Sequence, residues 1–540
     1  METTVIVLIS LFAVMISGFL ARATRVPVPL VQIALGALIY YSSLTSVVLN
    51  PEVFFLLFLP PLLFLDGWRI PKDSLFRDAS TILKLALGLV VFTVLGMGLF
   101  IHWLIPSLPL AVSFALAAVI SPTDPIAVSA IAARTPVPKR LLHILQGESL
   151  LNDASGLVCM RFAVAAALTG SFSLSSAVIS FLWVALGGLV IGAAGTWLVA
   201  RITSWVSERF DEDGSSQILI TLLLPFGVYL LAERLHCSGI LAAVAAGVTM
   251  SFMDIWQWRA ATRLRRTAVW DTVQFVANGS IFVLLGEQIP ALLAAAPQTI
   301  LATQHQNPWW LGVYILIIVA GLAALRFVWV WASLKVTFRG MRQSGVVSTT
   351  RWRLILATSL AGVRGAVTLA GVLTLPLMMG NGLPFPGRDL AIFLAAGVIV
   401  VSLVLATLTL PHALRGLALP DESSHQAAED QARMSAATTA VSAIDAAQRK
   451  MAEGREDAYR YANAATKIAE LYRLRIDRYS GGDDAALRTE DEDIERQLRL
   501  VGLRAERSEI VRIARSRGID ELRLRKIVRE LDLQEARYGG

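Results

Sequence analysis

Long apolar runs separated by short polar segments make up most of the chain. Windows of about 19 residues identify thirteen candidate membrane-spanning helices. Their approximate limits are 2–20, 28–48, 52–68, 79–105, 109–133, 141–169, 174–200, 215–234, 238–254, 270–289, 309–334, 352–378 and 389–414. Beyond these runs the sequence becomes rich in Ala, Arg, Glu and Asp with helical periodicity. The pattern predicts an all-α polytopic membrane protein, with a transmembrane domain over 1–418 and a helical tail over 419–540.

Basic residues are concentrated in every second loop between the predicted spans. The loops that follow odd-numbered spans hold nearly all of them, and the alternate loops hold only Arg234 and Arg388. Because cytoplasmic loops carry the excess of Lys and Arg, this bias places the N-terminus outside and the C-terminal tail in the cytoplasm. An odd number of spans is required for that arrangement.

Composition and motifs argue against several classes of function. Of the 540 residues, 55% are hydrophobic and only 16% are charged, which is typical of membrane proteins. The net charge of +7 does not indicate nucleic-acid binding, because the basic residues lie between the apolar runs and in the tail. The sequence contains no nucleotide-binding loop and no metal-binding cluster, so no enzyme activity and no cofactor is expected.

Two neighbouring spans contain carboxylates in mid-run. Asp124 lies between two prolines in the segment 121–125, and Glu148 and Asp153 lie in the segment 146–156. A charge near the bilayer centre costs roughly 2.5–3.5 kcal/mol on insertion scales, so such a residue usually faces an ion pathway or a partner. Because proline has no N–H group to donate, it leaves backbone carbonyl groups without helix hydrogen bonds, and these carbonyl groups can face a cation. The combination predicts ion transport.

Helical spacing sorts the polar residues of the second of these spans. Ser149 and Asp153 share one face, and Glu148 and Asn152 form the neighbouring ridge. Small hard cations such as sodium prefer oxygen ligands. The predicted ligands are Asp153, Asp124, Ser149 and the backbone carbonyl group of Thr123. Since burial favours the protonated form of a carboxyl group, Asp153 can exchange a proton for a cation without ATP.

Two arginines within apolar runs need partners. We expect Glu148 to pair with Arg326 as a structural ion pair, which leaves Asp153 free to titrate. Arg364 lies in a Gly-Val-Arg-Gly break and is expected to satisfy the carbonyl groups of that break.

Glu287 is expected at the outer membrane interface, and Arg161 is expected to extend its head group toward the outer surface.

The interruptions occur at corresponding places in the two halves of the membrane domain. Span five is broken at 121–125, and span twelve is broken at 362–365. Paired broken spans are typical of inverted-repeat transporters with a site at the bilayer midplane. The sequence therefore predicts inverted repeats over spans 1–6 and 8–13, each with one interrupted span.

These motifs resemble the monovalent cation:proton antiporter-1 family, the sodium/proton exchangers, and in particular bacterial members with a long cytoplasmic tail. The resemblance covers about residues 1–415 and depends on the segments 59–64, 121–125, 146–156 and 361–367. It implies a homodimer in a bacterial plasma membrane, in which a core domain moves against a dimer domain like an elevator.

The resemblance also implies roles for individual residues. Asp153 matches the carrier of ion and proton, and Asn152 before it matches the Asn-Asp pair associated with electroneutral exchange. Ser149 and the pair Thr123-Asp124 match cation ligands at the crossing of the unwound helices. The remaining matches are a buried ion pair and a second membrane arginine: Glu148, Arg326 and Arg364.

One position departs from the family pattern. Relatives often carry an acid directly after the Pro-Pro-Leu-Leu-Phe run, where this chain has Leu65 and places Asp66 one residue later. The offset leaves open whether Asp66 takes part in a cytoplasmic funnel.

The sequence thus predicts a secondary antiporter that exchanges cytoplasmic sodium, or lithium, for external protons. Potassium/proton exchange is an alternative, because ligand types alone do not distinguish sodium from potassium. Alternatives of other classes are an ion-responsive receptor that signals through the tail and a membrane hydrolase that uses the two aspartates.

Overall fold

The computed structural model describes most of the chain. The described residues are 2–43, 51–70, 82–124, 128, 139–169, 174–210, 214–257, 260–301, 303, 307–340, 348–379, 382–414, 422–453, 455, 457–479, 485–517, 527–528 and 530–535. The chain divides into two compact units, Met1–Ala418 and Leu419–Gly540.

The first unit consists of helices in its described part. In chain order they are α1 (Glu2–Thr24), α2 (Val28–Ser43), α3 (Pro51–Arg69), α4 (Leu89–Leu104), α5 (Leu110–Ile120), α6 (Lys139–Thr169), α7 (Leu174–Phe210), α8 (Gly214–Arg234), α9 (Gly239–Gln257), α10 (Ala260–Leu301), α11 (Trp309–Gly340), α12 (Ser348–Leu360), α13 (Ala366–Leu373) and α14 (Arg388–Leu414). A π-helical turn at Lys84–Gly88 leads into α4. The prediction of an all-α membrane protein is confirmed.

The number of membrane crossings stays a prediction. Eight helices in the described residues are long and apolar enough to span a bilayer, and shorter apolar helices lie at Val28–Ser42, Leu110–Ile120 and Gly239–Met253. Each predicted span coincides at least in part with a helix. Two adjacent prolines in the third predicted span, Pro60 and Pro61, would be expected to break it, but α3 is continuous through both. Neighbouring helices allow proline inside a membrane helix.

Packing sorts these helices into two groups. Group 1 contains α1–α3 and α7–α10; α9 packs against both α3 and α7, and α10 runs along α2. Group 2 contains α4–α6 and α11–α14; α5 packs between α4 and α6, and α14 contacts α11, α12 and α13. Helices α1–α3 belong to group 1 and α4–α6 to group 2, and this order recurs in α8–α10 and α11–α14, with α7 as an additional helix of group 1. This order agrees with an internal duplication, and the inversion of the repeats stays a prediction.

Two short helices end inside the unit. Helix α5 ends at Ile120 before Pro122, and α12 is separated from α13 by residues 361–365. Proline cannot continue the hydrogen-bond ladder, and the glycines of the second break have little helix propensity. Pro125, the second proline of the first break, lies outside the described residues.

The second unit is described by itself. Its helices are α15 (Glu422–Ala452), α16 (Ala458–Tyr479) and α17 (Ala485–Arg517). Helices α15 and α16 pack against each other. Near the chain's end, Arg507 of α17 forms ion pairs with Asp532 and Glu535.

Close packing of α9 on α3 generates a stability prediction. A Cβ atom at Gly247 would overlap the backbone carbonyl oxygen of Phe64, whereas one at Gly227 in α8 would meet open space. We expect Gly247→Ala to lower the free energy of unfolding by about 1–3 kcal/mol, the usual cost of overpacking. Thermal unfolding of the detergent-purified protein measures the loss.

Gly227→Ala is the matched control. It should leave the melting temperature unchanged or raise it, because alanine favours helix by about 1 kcal/mol. Equal melting temperatures for the two variants would contradict the close approach of α9 to α3.

Candidate functional site

A small cavity lies between the two groups of helices. Its volume is about 40 Å³, enough for one ion or one water molecule. Group 1 contributes residues of α3 and α10 to its wall, and group 2 contributes residues of α6 and of both helix breaks. The polar residues on the wall are Asp66, Thr123, Asp124, Ser149, Asp153, Asn278 and Thr368. We call this space the central cavity.

The two helix breaks meet at this cavity through their backbones. The amide group of Asp124 donates a hydrogen bond of 2.8 Å to the carbonyl oxygen of Val363. A Cβ atom at Gly365 would overlap the Asp124 carboxylate, so only glycine permits this approach. In a bilayer, backbone groups that a broken helix leaves without partners must be satisfied within the protein. Each break therefore supplies a hydrogen-bond partner for a backbone group of the other.

Arg364 supplies donors for the carbonyl groups of both breaks. Its Nε atom donates to the carbonyl oxygen of Ile120 at 2.7 Å, and its Nη1 atom donates to the carbonyl oxygen of Gly362. Its own amide group donates to Ser402 Oγ at 3.2 Å. The guanidinium group is buried and lies where α5 and α12 end. A cation is favourable there because helix C-termini carry partial negative charge.

Helix α6 presents two different polar faces. Ser149 and Asp153 line the central cavity, whereas Glu148 and Asn152 reach other side chains of group 2. In the described part of the chain, no protein group hydrogen-bonds to the side chains of Ser149 or Asp153. Their oxygen atoms thus stay available to whatever occupies the cavity.

Glu148 forms a buried ion pair with Arg326 of α11. The two bonds are bidentate, with Nη1 to Oε1 at 2.5 Å and Nη2 to Oε2 at 2.8 Å. Arg326 Nε also donates to the carbonyl oxygen of Thr358 at 3.0 Å. Glu148 is 0% and Arg326 2% exposed, so both charges depend on this geometry.

Thr123 connects the first break to this pair. Its hydroxyl group donates to Glu148 Oε1 at 3.3 Å and accepts a bond of 3.0 Å from Asn152 Nδ2. The hydroxyl group is therefore engaged on both sides, and the neighbouring Asp124 is held by its backbone at the cavity wall.

A second, larger cavity lies beside the first. It has a volume of about 460 Å³, and Arg69 and Asp271 form an ion pair on its wall. Gln274 accepts a hydrogen bond of 2.6 Å from Arg69. Asp66 and Asn278 line both cavities. We call the larger space the vestibule.

Two of these wall residues add to the predicted set. The sequence left a role for Asp66 open, and the structure places it between vestibule and central cavity. Asn278 was missed. A signal was present, because Gln274 and Asn278 lie four residues apart in the tenth predicted span, which puts two carboxamides on one helix face.

Glu287 requires a correction. The sequence placed it at the membrane interface, but it is only 2% exposed and accepts a hydrogen bond of 2.9 Å from Ser10. Helix α10 continues to Leu301, well past the predicted span limit, and α1 and α2 pack against it. Arg161, by contrast, lies at the surface and pairs with Glu233 at 3.2 Å.

The fold and these motifs occur together in one known family. The sequence profile described as the transmembrane sodium/hydrogen exchanger matches residues 7–416. The chain belongs to this family. Members of the sodium/hydrogen exchanger family are transporters, not enzymes. The hydrolase and receptor alternatives are therefore not favoured. The protein is a multi-span membrane protein that carries out cation/proton antiport.

Two bacterial exchangers are similar to this chain over most of its length. The chain is 39% identical over 546 residues to the uncharacterized Na+/H+ exchanger YjcE of Escherichia coli K12, covering 99% of both chains. It is 43% identical over 421 residues to the sodium, potassium, lithium and rubidium/H+ antiporter of Bacillus subtilis 168. That match covers 76% of this chain and 61% of the Bacillus protein.

A solved exchanger shares the fold. The sodium proton antiporter MjNhaP1 from Methanocaldococcus jannaschii at pH 8 superposes with a TM-score of 0.54 and 20% sequence identity. The superposition covers 78% of this chain and 100% of MjNhaP1. The membrane unit therefore has the antiporter fold.

The buried pair generates a second prediction. Glu148→Gln and Arg326→Gln should each lower the free energy of unfolding by about 3–5 kcal/mol, because each leaves an unpaired buried charge. The double variant should lose much less than the sum. Thermal unfolding of the four proteins gives the coupling free energy.

Arg161→Gln removes an arginine from an exposed pair and serves as the control, with an expected loss below about 1 kcal/mol. Additive losses for Glu148 and Arg326 would show that the pair does not exist in the membrane protein.

Proposed function

We propose that the protein is a secondary sodium/proton antiporter in which Asp153 carries either the cation or the proton. The observation that supports this most is that three predicted ligands, Asp153, Asp124 and Ser149, lie on one cavity of about 40 Å³. An ion of sodium's size requires several oxygen atoms at once, and this cavity offers two carboxylates and a hydroxyl group.

The fourth ligand is the backbone of Thr123. Its hydroxyl group already forms hydrogen bonds with Glu148 and Asn152, so we assign its backbone carbonyl oxygen as the cation ligand. Asn152 has a supporting role, since it orients Thr123 from the neighbouring ridge of α6. Glu148 is excluded as the carrier because Arg326 occupies both of its oxygen atoms.

Competition for one carboxyl group gives an exchange cycle. Asp153 binds a proton or a cation, and in either case the occupied site is less charged than the empty one. A loaded site crosses more readily because a bare buried charge is costly. One cation then moves for one proton, which is electroneutral exchange. The cavity lies between groups 1 and 2, so movement of one group against the other would expose it to each side in turn.

The membrane orientation and the assembly are part of this proposal. The distribution of basic residues supports a cytoplasmic tail, and the ends of α3 and α10 near the basic loops then place the vestibule on the cytoplasmic side. The resemblance to the family supports a homodimer in a bacterial plasma membrane.

Broader cation selectivity is the second candidate. The Bacillus subtilis relative is named for sodium, potassium, lithium and rubidium, and it is 43% identical to this chain. Carboxylate and hydroxyl oxygens bind all four of these ions. Comparing the four chloride salts with the purified protein in proteoliposomes decides between a selective and a broad exchanger.

Loss of a carboxylate should abolish exchange. Asp153→Asn and Asp124→Asn each remove a negative charge from the cavity without changing its shape, and we expect less than about a tenth of wild-type cation-driven dequenching of a pH dye in everted vesicles. Asp389→Asn, at a side chain that is 85% exposed, is the control and should keep full activity. Full exchange by either cavity variant, at equal protein levels, would reject Asp153 and Asp124 as the site.

Competition also predicts a pH dependence. Protons occupy the shared carboxyl group as pH falls, so the apparent KM for sodium should rise on acidification while the maximal rate at saturating sodium changes less. Initial rates across a sodium series at several pH values, with equal pH on both sides, measure this. A KM independent of pH would mean that proton and cation bind to different groups.

A further inference from the structure

We propose that Asn278 is a cation-contacting residue that, with Asp66, forms a transient binding site between the vestibule and the central cavity. This inference rests on the proposed function. Both residues belong to group 1, whereas the proposed ligands of the central cavity, Asp153, Asp124, Ser149 and Thr123, belong to group 2.

The position of Asn278 on two cavity walls is the first step. Asp66 on α3 and Asn278 on α10 are the only described residues shared by the walls of the central cavity and the vestibule. A cation that moves from one space to the other therefore passes between a carboxylate and a carboxamide. We call this pair the junction.

The hydrogen-bonding state of the junction is the second step. In the residues that the structure describes, neither the carboxamide of Asn278 nor the carboxylate of Asp66 takes part in a hydrogen bond. Asn278 is half-buried on the walls of both cavities, so its carboxamide is available to the water or ion that fills them. Gln274, one turn earlier on α10, is already bonded to Arg69.

The change in cavity size is the third step. The vestibule, at about 460 Å³, holds a hydrated cation, whereas the central cavity, at about 40 Å³, does not. A cation must lose most of its water at the boundary between them. Oxygen ligands at that point replace lost water ligands, and a neutral carboxamide oxygen does so without holding the ion so strongly that it stays there. Asp66 supplies attraction, and Asn278 supplies a ligand that protons do not occupy.

The junction lies on one side of the central cavity, so its loss should affect sodium that arrives from one face of the membrane more than sodium from the other. The junction lies between the vestibule and the central cavity, so a cation that enters from the vestibule passes it first. Removal of the Asn278 oxygen should impair cation capture from the vestibule side alone, which the proposed orientation makes the cytoplasmic side.

The experiment compares sodium capture from the two faces. Initial sodium-driven proton flux is measured in everted and in right-side-out membrane vesicles for the wild type, Asn278→Leu, Asn278→Asp and Gln274→Leu. Leucine and aspartate match the size of asparagine, and only aspartate retains an oxygen at this position. Should Asn278→Leu not insert, Asn278→Ala removes the same oxygen without a bulky replacement.

We expect Asn278→Leu to raise the apparent KM for sodium about fivefold or more when sodium is offered on the vestibule side, in line with the loss of one contact to a charged group. The KM from the opposite face should change less than about twofold. Asn278→Asp should keep a wild-type or lower KM at alkaline pH, and Gln274→Leu should resemble the wild type.

Three results would overturn the proposal. They are an unchanged KM in Asn278→Leu, an equal increase from both faces, and a loss in Asn278→Asp as large as that in Asn278→Leu. The wild-type vesicles test the proposed function separately, because absent sodium-driven flux there refutes sodium/proton antiport, whereas normal wild-type flux with any of the three results refutes only the junction.

Discussion

In a bilayer, the backbone groups that a broken helix leaves without partners must be satisfied inside the protein, and the arrangement of this site follows from that constraint. The bond from the Asp124 amide to the Val363 carbonyl joins the two breaks. Arg364 then bonds to carbonyl groups at both helix ends. Because the backbone is held this way, the carboxylate of Asp124 is fixed at the cavity wall, and Gly365 has room for nothing larger than hydrogen.

The acids near the cavity differ in their neighbours, and these differences separate their roles. Glu148 is neutralised by a bidentate arginine and stabilises group 2. Asp153, five residues further along α6, faces the cavity and has no such partner in the described residues. Two carboxylates on one helix thus meet different surroundings, and on this difference we assign the proposed carrier role to Asp153 and a structural role to Glu148.

The central cavity, where we propose that the transported ion binds, lies at the boundary between the two groups of helices. Group 2 supplies the charged ligands, and group 1 supplies the apolar wall of α3 together with Asp66 and Asn278. A site that belongs mostly to one group can move with that group while the other group supplies a fixed wall. The vestibule lies beside this wall, so in the proposed cycle a cation from the vestibule meets residues of group 1 before it meets Asp153.

The sequence alone determined the all-helical class, the places of the two breaks, and the sharing of a face by Ser149 and Asp153. These features are local: hydropathy, proline and glycine chemistry, and a period of 3.6 residues define them within a few turns. Only the tertiary structure decided that Asp66 and Asn278 share two cavity walls, that Glu287 is covered by α1 and α2, and that α3 continues through its two prolines. Each of these depends on which distant helices pack together. The local pattern carries no record of a neighbour that lies far away along the chain.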